Sequence, residues 1–330
     1  MRLPSEEIRE TIIKAEDPTD EKYGRKPCER PIEEYIQKGV INLDKPAGPT
    51  SHEVTSWVKK ILQIEKAGHS GTLDPNVTGI LPIMLGNATK AVDALLTAGK
   101  EYTCFMKLHD EMPVKQVKSI LSEFTGDIYQ KPSLKSAVKR ETRIRTIYYI
   151  DLLECDGKNV LFKVGSEAGT YIRKLCNDIG FALGTGAHMQ ELRRTKSGPF
   201  REDEKLITLH DLKDAFVEWK ENNNEEQMRI IIRPMEEGLA HLPKIVIRDS
   251  AVDAICHGAS LAASGVVSVQ TGIIKGDLVA VFTQKGEVVS FGIAQKKSID
   301  IQKASTGIMV NTDRVLMEPG TYLKGWKAKG

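Results

Sequence analysis

The chain is poor in cysteine, in aromatic side chains and in long apolar runs, and it carries almost no excess charge. Its five cysteines, at 28, 104, 155, 176 and 256, are odd in number and widely spaced. That pattern supports neither a disulfide framework nor a zinc ribbon, so reduced thiols and no metal ion are expected. No window approaches the roughly eighteen apolar residues of a membrane span, and the start, Met1-Arg2-Leu3-Pro4-Ser5-Glu6-Glu7, lacks the apolar run of a secretory leader. A cytoplasmic protein without membrane association is the expectation. Neither a P-loop nor a G-x-G-x-x-G dinucleotide fingerprint occurs, so no cofactor is expected either.

Lysine and arginine total 47 against 45 aspartates and glutamates, a net charge of +2 that says little about nucleic acid. Distribution matters more than the sum. Residues 131–145 hold six basic groups and one acid, residues 1–24 hold seven acids and four bases, and Arg193-Arg194-Thr195-Lys196 forms a second basic cluster. Such runs are either solvated faces or phosphate contacts.

The 330 residues suffice for two domains. Gly39-Val40-Ile41-Asn42-Leu43-Asp44 reads as a strand that stops at Lys45-Pro46-Ala47-Gly48-Pro49. Thr50-Ser51-His52-Glu53 has the form of a capping box, and Val54, Trp57, Val58, Ile61 and Leu62 follow at helical spacing. Further helices are expected around 89–97, after Pro113 with a core face of Val114, Val117, Ile120, Leu121 and Phe124, and over 169–183. Strands are expected near 100–108, 145–155 and 159–166. Interleaving without regular βαβ alternation predicts an α+β member of the broad α/β class, with a mixed, largely antiparallel sheet and flanking helices. From Lys244 onward, short β-branched runs punctuated by glycine, with a hairpin turn at Lys285-Gly286, predict a small β-barrel. The expected divisions are an N-terminal extension at 1–38, a catalytic domain at 39–243, the barrel at 244–322 and a basic tail at 323–330.

Gly68-His69-Ser70-Gly71-Thr72-Leu73-Asp74-Pro75-Asn76-Val77-Thr78-Gly79 sets one carboxylate in a loop of glycines and prolines before the apolar run Ile80-Leu81-Pro82-Ile83. Asp74 could simply close a turn. Loops held by a rigid scaffold, however, are where catalytic groups concentrate. The segment resembles the catalytic loop of the TruB-type pseudouridine synthases, G-H-x-G-[ST]-L-D-P-x-x-[ST]-G. Four more segments are similar to that family's motifs in the same order: Val40 to Ser51, Lys100-Glu101-Tyr102, Ala168-Gly169-Thr170-Tyr171-Ile172-Arg173, and Leu192-Arg193-Arg194-Thr195 with Gly198-Pro199-Phe200. Taken alone, the tyrosine would be a core residue, Arg173 an exposed helix residue and the 192–195 segment a helix end with a solvated tail.

The resemblance implies roles. Asp74 is the essential catalytic group, Tyr102 stacks on the target base and Arg173 pairs with Asp74. A guanidinium partner keeps a carboxylate ionised in a pocket that excludes water. Lys45 and Pro46 buttress the floor of the site. His69 fills the gap left by an extruded base, and Thr72 and Leu192 complete the substrate-binding set. Lys135, Lys139 and Arg140, in a basic loop, and Arg193 and Arg194 are expected to meet RNA. Cys256-His257-Gly258-Ala259-Ser260-Leu261 and Gly276-Asp277-Leu278-Val279 resemble the PUA domain, an RNA-binding module, which adds His257, Gly258, Ala259 and Ser260 as candidate contacts.

The implied reaction detaches uridine at N1, turns the base and rejoins it through C5 as pseudouridine. Attack of Asp74 at C6, attack at C1′ and proton abstraction from the sugar all fit the residues. A hydrolase built on Ser70 or Ser51, His69 or His52, and Asp74 is disfavoured because neighbours in one tight loop cannot line up as nucleophile, base and orienter. An RNA-binding scaffold without catalysis is the rival from another class, and a stand-alone tRNA uridine-55 enzyme is the rival within the family. The acidic leader, the basic loop and the PUA-like unit are more similar to the Cbf5 and dyskerin type, in its archaeal form, a catalytic subunit acting on rRNA and possibly tRNA. That resemblance implies box H/ACA guide RNA, substrate rRNA or tRNA, and the proteins Nop10, Gar1 and L7Ae as partners. Ser133 departs from the family's second proline in the basic loop, and Ser70 and Asn76 are ordinary variants.

Overall fold

In the computed structural model, residues 2–131, 141–203 and 205–324 are described. Lys135, Lys139 and Arg140 lie outside them. A ten-stranded sheet forms the larger unit, running in the order Ile232–Pro234, Gly39–Lys45, Thr78–Leu85, Ala187–Ser197, Lys100–Leu108, Asn159–Ser166, Arg143–Asp156 and Gly126–Gln130, with the short strands Ala67–His69 and Phe200–Arg201 attached to its middle. Its ladders are antiparallel except where Thr78–Leu85 meets Ala187–Ser197, paired in parallel through Thr78 with Arg193 and Gly79 with Arg194. Gly79 is obligatory there. Its φ is +99°, and a Cβ would lie 2.3 Å from the Arg194 carbonyl oxygen.

Helices cover the sheet where the apolar period predicts them. Thr50 caps Ser51–Leu62, its Oγ1 accepting the Glu53 amide at 3.2 Å while the Glu53 carboxylate accepts the Thr50 amide at 2.8 Å. Val54, Val58 and Leu62 are buried with Leu43, Leu81 and Ile83 and with the Leu209–Asn222 helix. Trp57 departs from this face and is 40% exposed, as is Val114 at 51% at the start of Val114–Glu123. Trp57 is one step off the stripe that Val54 and Val58 bury, whereas Val114 shares the face of Val117 and Leu121 but is the first residue of its helix, at the uncovered end. The Ile172–Leu183 helix packs Leu175, Cys176 and Ile179 against Cys104, Phe162 and Val164 of the sheet. Arg193 to Lys196 are strand, not the end of a helix.

The smaller unit is a curled seven-stranded sheet ordered Thr11–Ile13, Val266–Gln270, Lys244–Ile247, Leu278–Thr283, Val288–Ala294, Ile308–Val315 and Leu261–Ala262. Gly286, at φ +83°, makes the turn of its central hairpin. The leader supplies the edge strand Thr11–Ile13, antiparallel to Val266–Gln270. It also reaches the larger unit, where Leu3 is 1% exposed and Lys196 bridges Glu6 at 2.6 Å and Glu101 at 3.4 Å. The two units share a core: Val40, Ile80, Met84, Leu95, Phe200 and Met235 pack in one cluster with Ala280, Phe282, Val288, Phe291 and Leu316. Severing the chain at 244 would expose that seam, at about 1.5–3 kcal/mol for each large side chain uncovered.

Candidate active site

The Asp74 loop begins at the end of Ala67–His69 and returns into Thr78–Leu85, so both of its ends are sheet. Between them the chain is nailed down by side chains that grip its backbone. Ser51, the first residue of its helix, both donates to the Leu73 carbonyl (3.1 Å) and accepts the Leu73 amide (2.9 Å), and Leu73 is itself buried. Lys45 is fully buried, and its ammonium donates to the carbonyls of Pro46 (2.8 Å), Pro75 (2.8 Å) and Val77 (3.0 Å). Arg194, 1% exposed, donates from Nε to the Ile80 carbonyl (2.7 Å) and from both Nη atoms to the Gly71 carbonyl (3.3 Å). Lys100, also buried, donates to the carbonyls of Leu95, Leu96 and Ala98.

These three cations have no carboxylate partner among the described residues. Burial pulls the Lys45 ammonium down from its ordinary range. Burial, with the neighbouring Arg194 charge, pushes Lys100 down to about 7. Arg194 is lowered by burial too, opposed by the neighbouring Tyr102 phenol. Carbonyl dipoles, not counter-ions, solvate all three.

On this floor Asp74 projects outward. Its carboxylate is ion-paired with Arg173, and the two side chains are 53% and 56% exposed. Among the described residues, the pair is open to solvent rather than enclosed in the water-excluding pocket expected around it. Arg173 sits in the first turn of Ile172–Leu183, the positive end of that helix, which favours an anion at Asp74. The approach to the helix is fixed by Gln130, 2% exposed, which accepts the Tyr171 amide at 2.9 Å and donates to the Tyr171 carbonyl at 3.1 Å. Nothing in the sequence marks Gln130; it is one glutamine at the end of a strand.

Tyr102 is half-buried and directly opposite Arg194 in the ladder, and half-buried Leu192 faces Cys104 in the same pair of strands. Tyr102 and Leu192 both pack at the edge of the cluster beneath the Ile172–Leu183 helix. His69 meets His52 edge-on at 4.9 Å. Burial, then His52 and Arg194, push its imidazole down to about 4, so it is neutral at pH 7. Thr72 and Pro46 are exposed on the same side of the sheet end.

The second basic cluster is not the phosphate-binding face expected of it. Arg194 is inside the protein, and Lys196 is held by Glu6 and Glu101. Arg193 is clamped bidentately on Asp44 at 2.9 and 3.0 Å and on Glu202 at 2.5 Å. Adjacent strand residues point to opposite faces, so Arg193 and Arg194 could never have shared one surface. Lys45, expected among substrate-binding groups, has its three N–H bonds committed to backbone. His257, Gly258, Ala259 and Ser260 form an open turn after the Asp249–Cys256 helix, with His257 Nδ1 at 2.8 Å from the Asp253 carbonyl oxygen and all four residues exposed. Among the described residues no cluster of three or more metal-ligating side chains occurs, and no helix is long and apolar enough to cross a membrane.

Comparison with known proteins matches the same regions. Residues 59–172 match the N-terminal domain of TruB family pseudouridylate synthases and 173–240 the C-terminal domain of tRNA pseudouridylate synthase B. Residues 243–316 match the PUA domain, and 2–55 match the DKCLD domain. A probable tRNA pseudouridine synthase B of Methanopyrus kandleri is 62% identical over 99% of this chain and 97% of its own. One from Methanosarcina barkeri is 59% identical over the same shares. Among solved structures, a protein chain from an H/ACA RNP bound to a substrate RNA containing 2′-deoxyuridine superposes with a TM-score of 0.92, 52% identical over 99% of this chain and 100% of that one. A chain of a Cbf5-Nop10-Gar1 complex also superposes at 0.92, with 54% identity over 96% and 97% of the two chains.

Proposed function

We propose, because this chain belongs to the TruB family of pseudouridylate synthases, that it isomerises uridines in RNA to pseudouridine as a Cbf5-type catalytic subunit, directed by box H/ACA guide RNA. The observation that carries the reading is the Asp74–Arg173 ion pair, standing on a loop gripped at both ends and open to a large substrate. Asp74 is the reacting carboxylate. Attack at C6, attack at C1′ and sugar deprotonation each require it ionised, and Arg173 together with the helix N-terminus holds it so as RNA covers the pair and strips its water. Tyr102 and Leu192 border the base, with Thr72 and Pro46 along the rim. A uridine must leave its stack to reach Asp74, which costs a few kcal/mol. Neutral His69 suits the vacated space, since an uncharged ring stacks without a desolvation penalty.

Nop10, Gar1 and L7Ae are the protein partners in this reading, with rRNA and possibly tRNA as substrates and the cytoplasm as the place of action. The 244–322 unit holds the guide through the His257–Ser260 turn, and residues 39–243 carry the chemistry. The test is to map pseudouridine in rRNA and tRNA fragments incubated with the protein, with and without guide RNA and the three partner proteins, and with Asp74→Asn as control. Guide-dependent conversion at the paired uridine, abolished in the variant, is the expected result. Conversion of tRNA uridine 55 that guide and partners do not enhance would favour the stand-alone enzyme, and no conversion under any condition would favour a binding scaffold.

A further inference from the structure

Arg194 is a buried guanidinium without a carboxylate, an arrangement that packing alone does not explain. A charge in that position must be solvated by the protein at considerable cost, and a neutral side chain of similar volume would fill the space more cheaply. The guanidinium's donors go to two carbonyls, and a third group lies beside it. Nε meets the Ile80 carbonyl and the Nη atoms meet the Gly71 carbonyl, while Tyr102 is the directly opposed residue of the antiparallel ladder, its side chain on the same face as the guanidinium. Gly71 heads the catalytic loop three residues before Asp74, and Tyr102 lies on the adjacent strand, opposite Arg194 in register. The Arg194 backbone cannot shift, because Gly79 is pressed against it too closely for a Cβ. A planar fork on a fixed backbone thus meets both sides of the reaction pocket at once.

We propose that Arg194 is a positioning residue for uridine isomerisation, setting the Asp74 loop and the Tyr102 ring relative to one another through a single buried guanidinium. The inference rests on the pseudouridine synthase reading. It differs from the RNA contact the sequence suggests, because this arginine is closed to RNA. A lysine at 194 would keep the charge but lose the plane, meeting one partner and releasing another. Misplacement of a reacting group by about an ångström lowers a rate on the order of 100-fold without weakening binding.

The test compares Arg194→Lys, Tyr102→Phe and the double variant by single-turnover conversion at saturating guide and substrate, alongside RNA affinity and thermal unfolding. The unsubstituted protein must first convert its target uridine; failure at that step overturns the enzyme assignment itself, whereas the variants bear on Arg194 alone. Arg194→Lys should lose roughly 100-fold in rate with affinity within about threefold while still unfolding in a single cooperative transition. Its loss should shrink severalfold in the Tyr102→Phe background, because one contact is then already missing. A parent-like rate for Arg194→Lys, or losses that simply multiply in the double variant, overturns the proposal. Should Arg194→Lys fold poorly, arginine side-chain NMR on Tyr102→Phe, which leaves Arg194 intact, decides. A shifted Arg194 guanidinium signal supports the coupling, and an unmoved one overturns it.

Discussion

The mouth and the floor of the Asp74 site are built from the same residue types used in opposite ways. At the mouth, Asp74 and Arg173 are more than half exposed and neutralise one another. Beneath them Lys45, Lys100 and Arg194 are buried and, among the described residues, donate to backbone carbonyls rather than to carboxylates. The exposed pair contributes little to stability, as surface ion pairs do. Lys45 and Arg194 fix the geometry of the Asp74 loop, Lys100 fixes the neighbouring 95–98 turn, and removing any of the three would leave carbonyls unpaired. Substitution at the mouth should therefore change the chemistry and leave stability alone, whereas substitution on the floor should change both.

The sharpest way to break that separation is at Asp74. Asp74→Asn keeps the shape of the loop and should fall below about a hundredth of the parent rate, at least ~2.7 kcal/mol of barrier, with an unchanged unfolding midpoint. Measurable loss of stability in that variant would make the mouth part of the scaffold. Lys45→Met tests the floor. Three carbonyls lose their donor, so urea unfolding should show roughly 2 kcal/mol less stability, with activity falling as the loop loosens.

A third test uses pH. Lys100 is pushed down to about 7 in the fold from an ordinary value of 10.5, so between those limits the unfolded chain binds the extra proton. Stability should therefore rise with pH across this window, by up to about 1.4 kcal/mol per unit for one proton. Lys100→Met should flatten that slope in parallel urea titrations near pH 7.5 and 9.5, and an identical slope in both proteins would mean that Lys100 titrates as it does in water. The smallest effect belongs to Arg193. Its charge is already matched by Asp44 and Glu202, so Arg193→Ala should leave the salt dependence of RNA binding unchanged and cost less than about 1 kcal/mol. A drop of roughly 0.7–0.9 in the salt slope would instead make it a phosphate contact.

How much of the molecule is legible in its sequence depends on how local each signal is. The capping box at Thr50, the hairpin at Gly286 and the Asp74 loop are set by neighbours in sequence, and each takes the expected form. The Asp74–Arg173 pairing is visible only through motif order, since no periodicity joins residues a hundred positions apart. Burial of Arg194 escapes a sequence reading because a cation served by carbonyls looks, as a letter, like a cation served by water. Strand alternation across Arg193 and Arg194 is the available clue. Trp57 misleads because an apolar residue at the margin of a helical stripe has no fixed side, and Val114 because the first residue of a helix can extend past the surface that covers the rest of its face. The shared core around Phe282 and Met235 has no signal in either unit's own pattern. It also removes deletion of 244–330 as a clean probe of guide binding, for which point changes at His257 or Ser260 are better suited.

The leader strand has a consequence for how the molecule is made. Thr11–Ile13 emerges from the ribosome well ahead of its partner, Val266–Gln270, with the whole larger unit synthesised between them. At roughly 5–20 residues per second, the leader waits on the order of tens of seconds for a strand to join. The larger unit can assemble meanwhile, with Leu3 and Glu6 docking on it early. When the last strands arrive, the open edge at Val266–Gln270 accepts any matching segment, and on a crowded polysome the nearest one can belong to another nascent chain. Exchange of leaders between copies, a domain-swapped dimer, is the misassembly that this order of synthesis would favour.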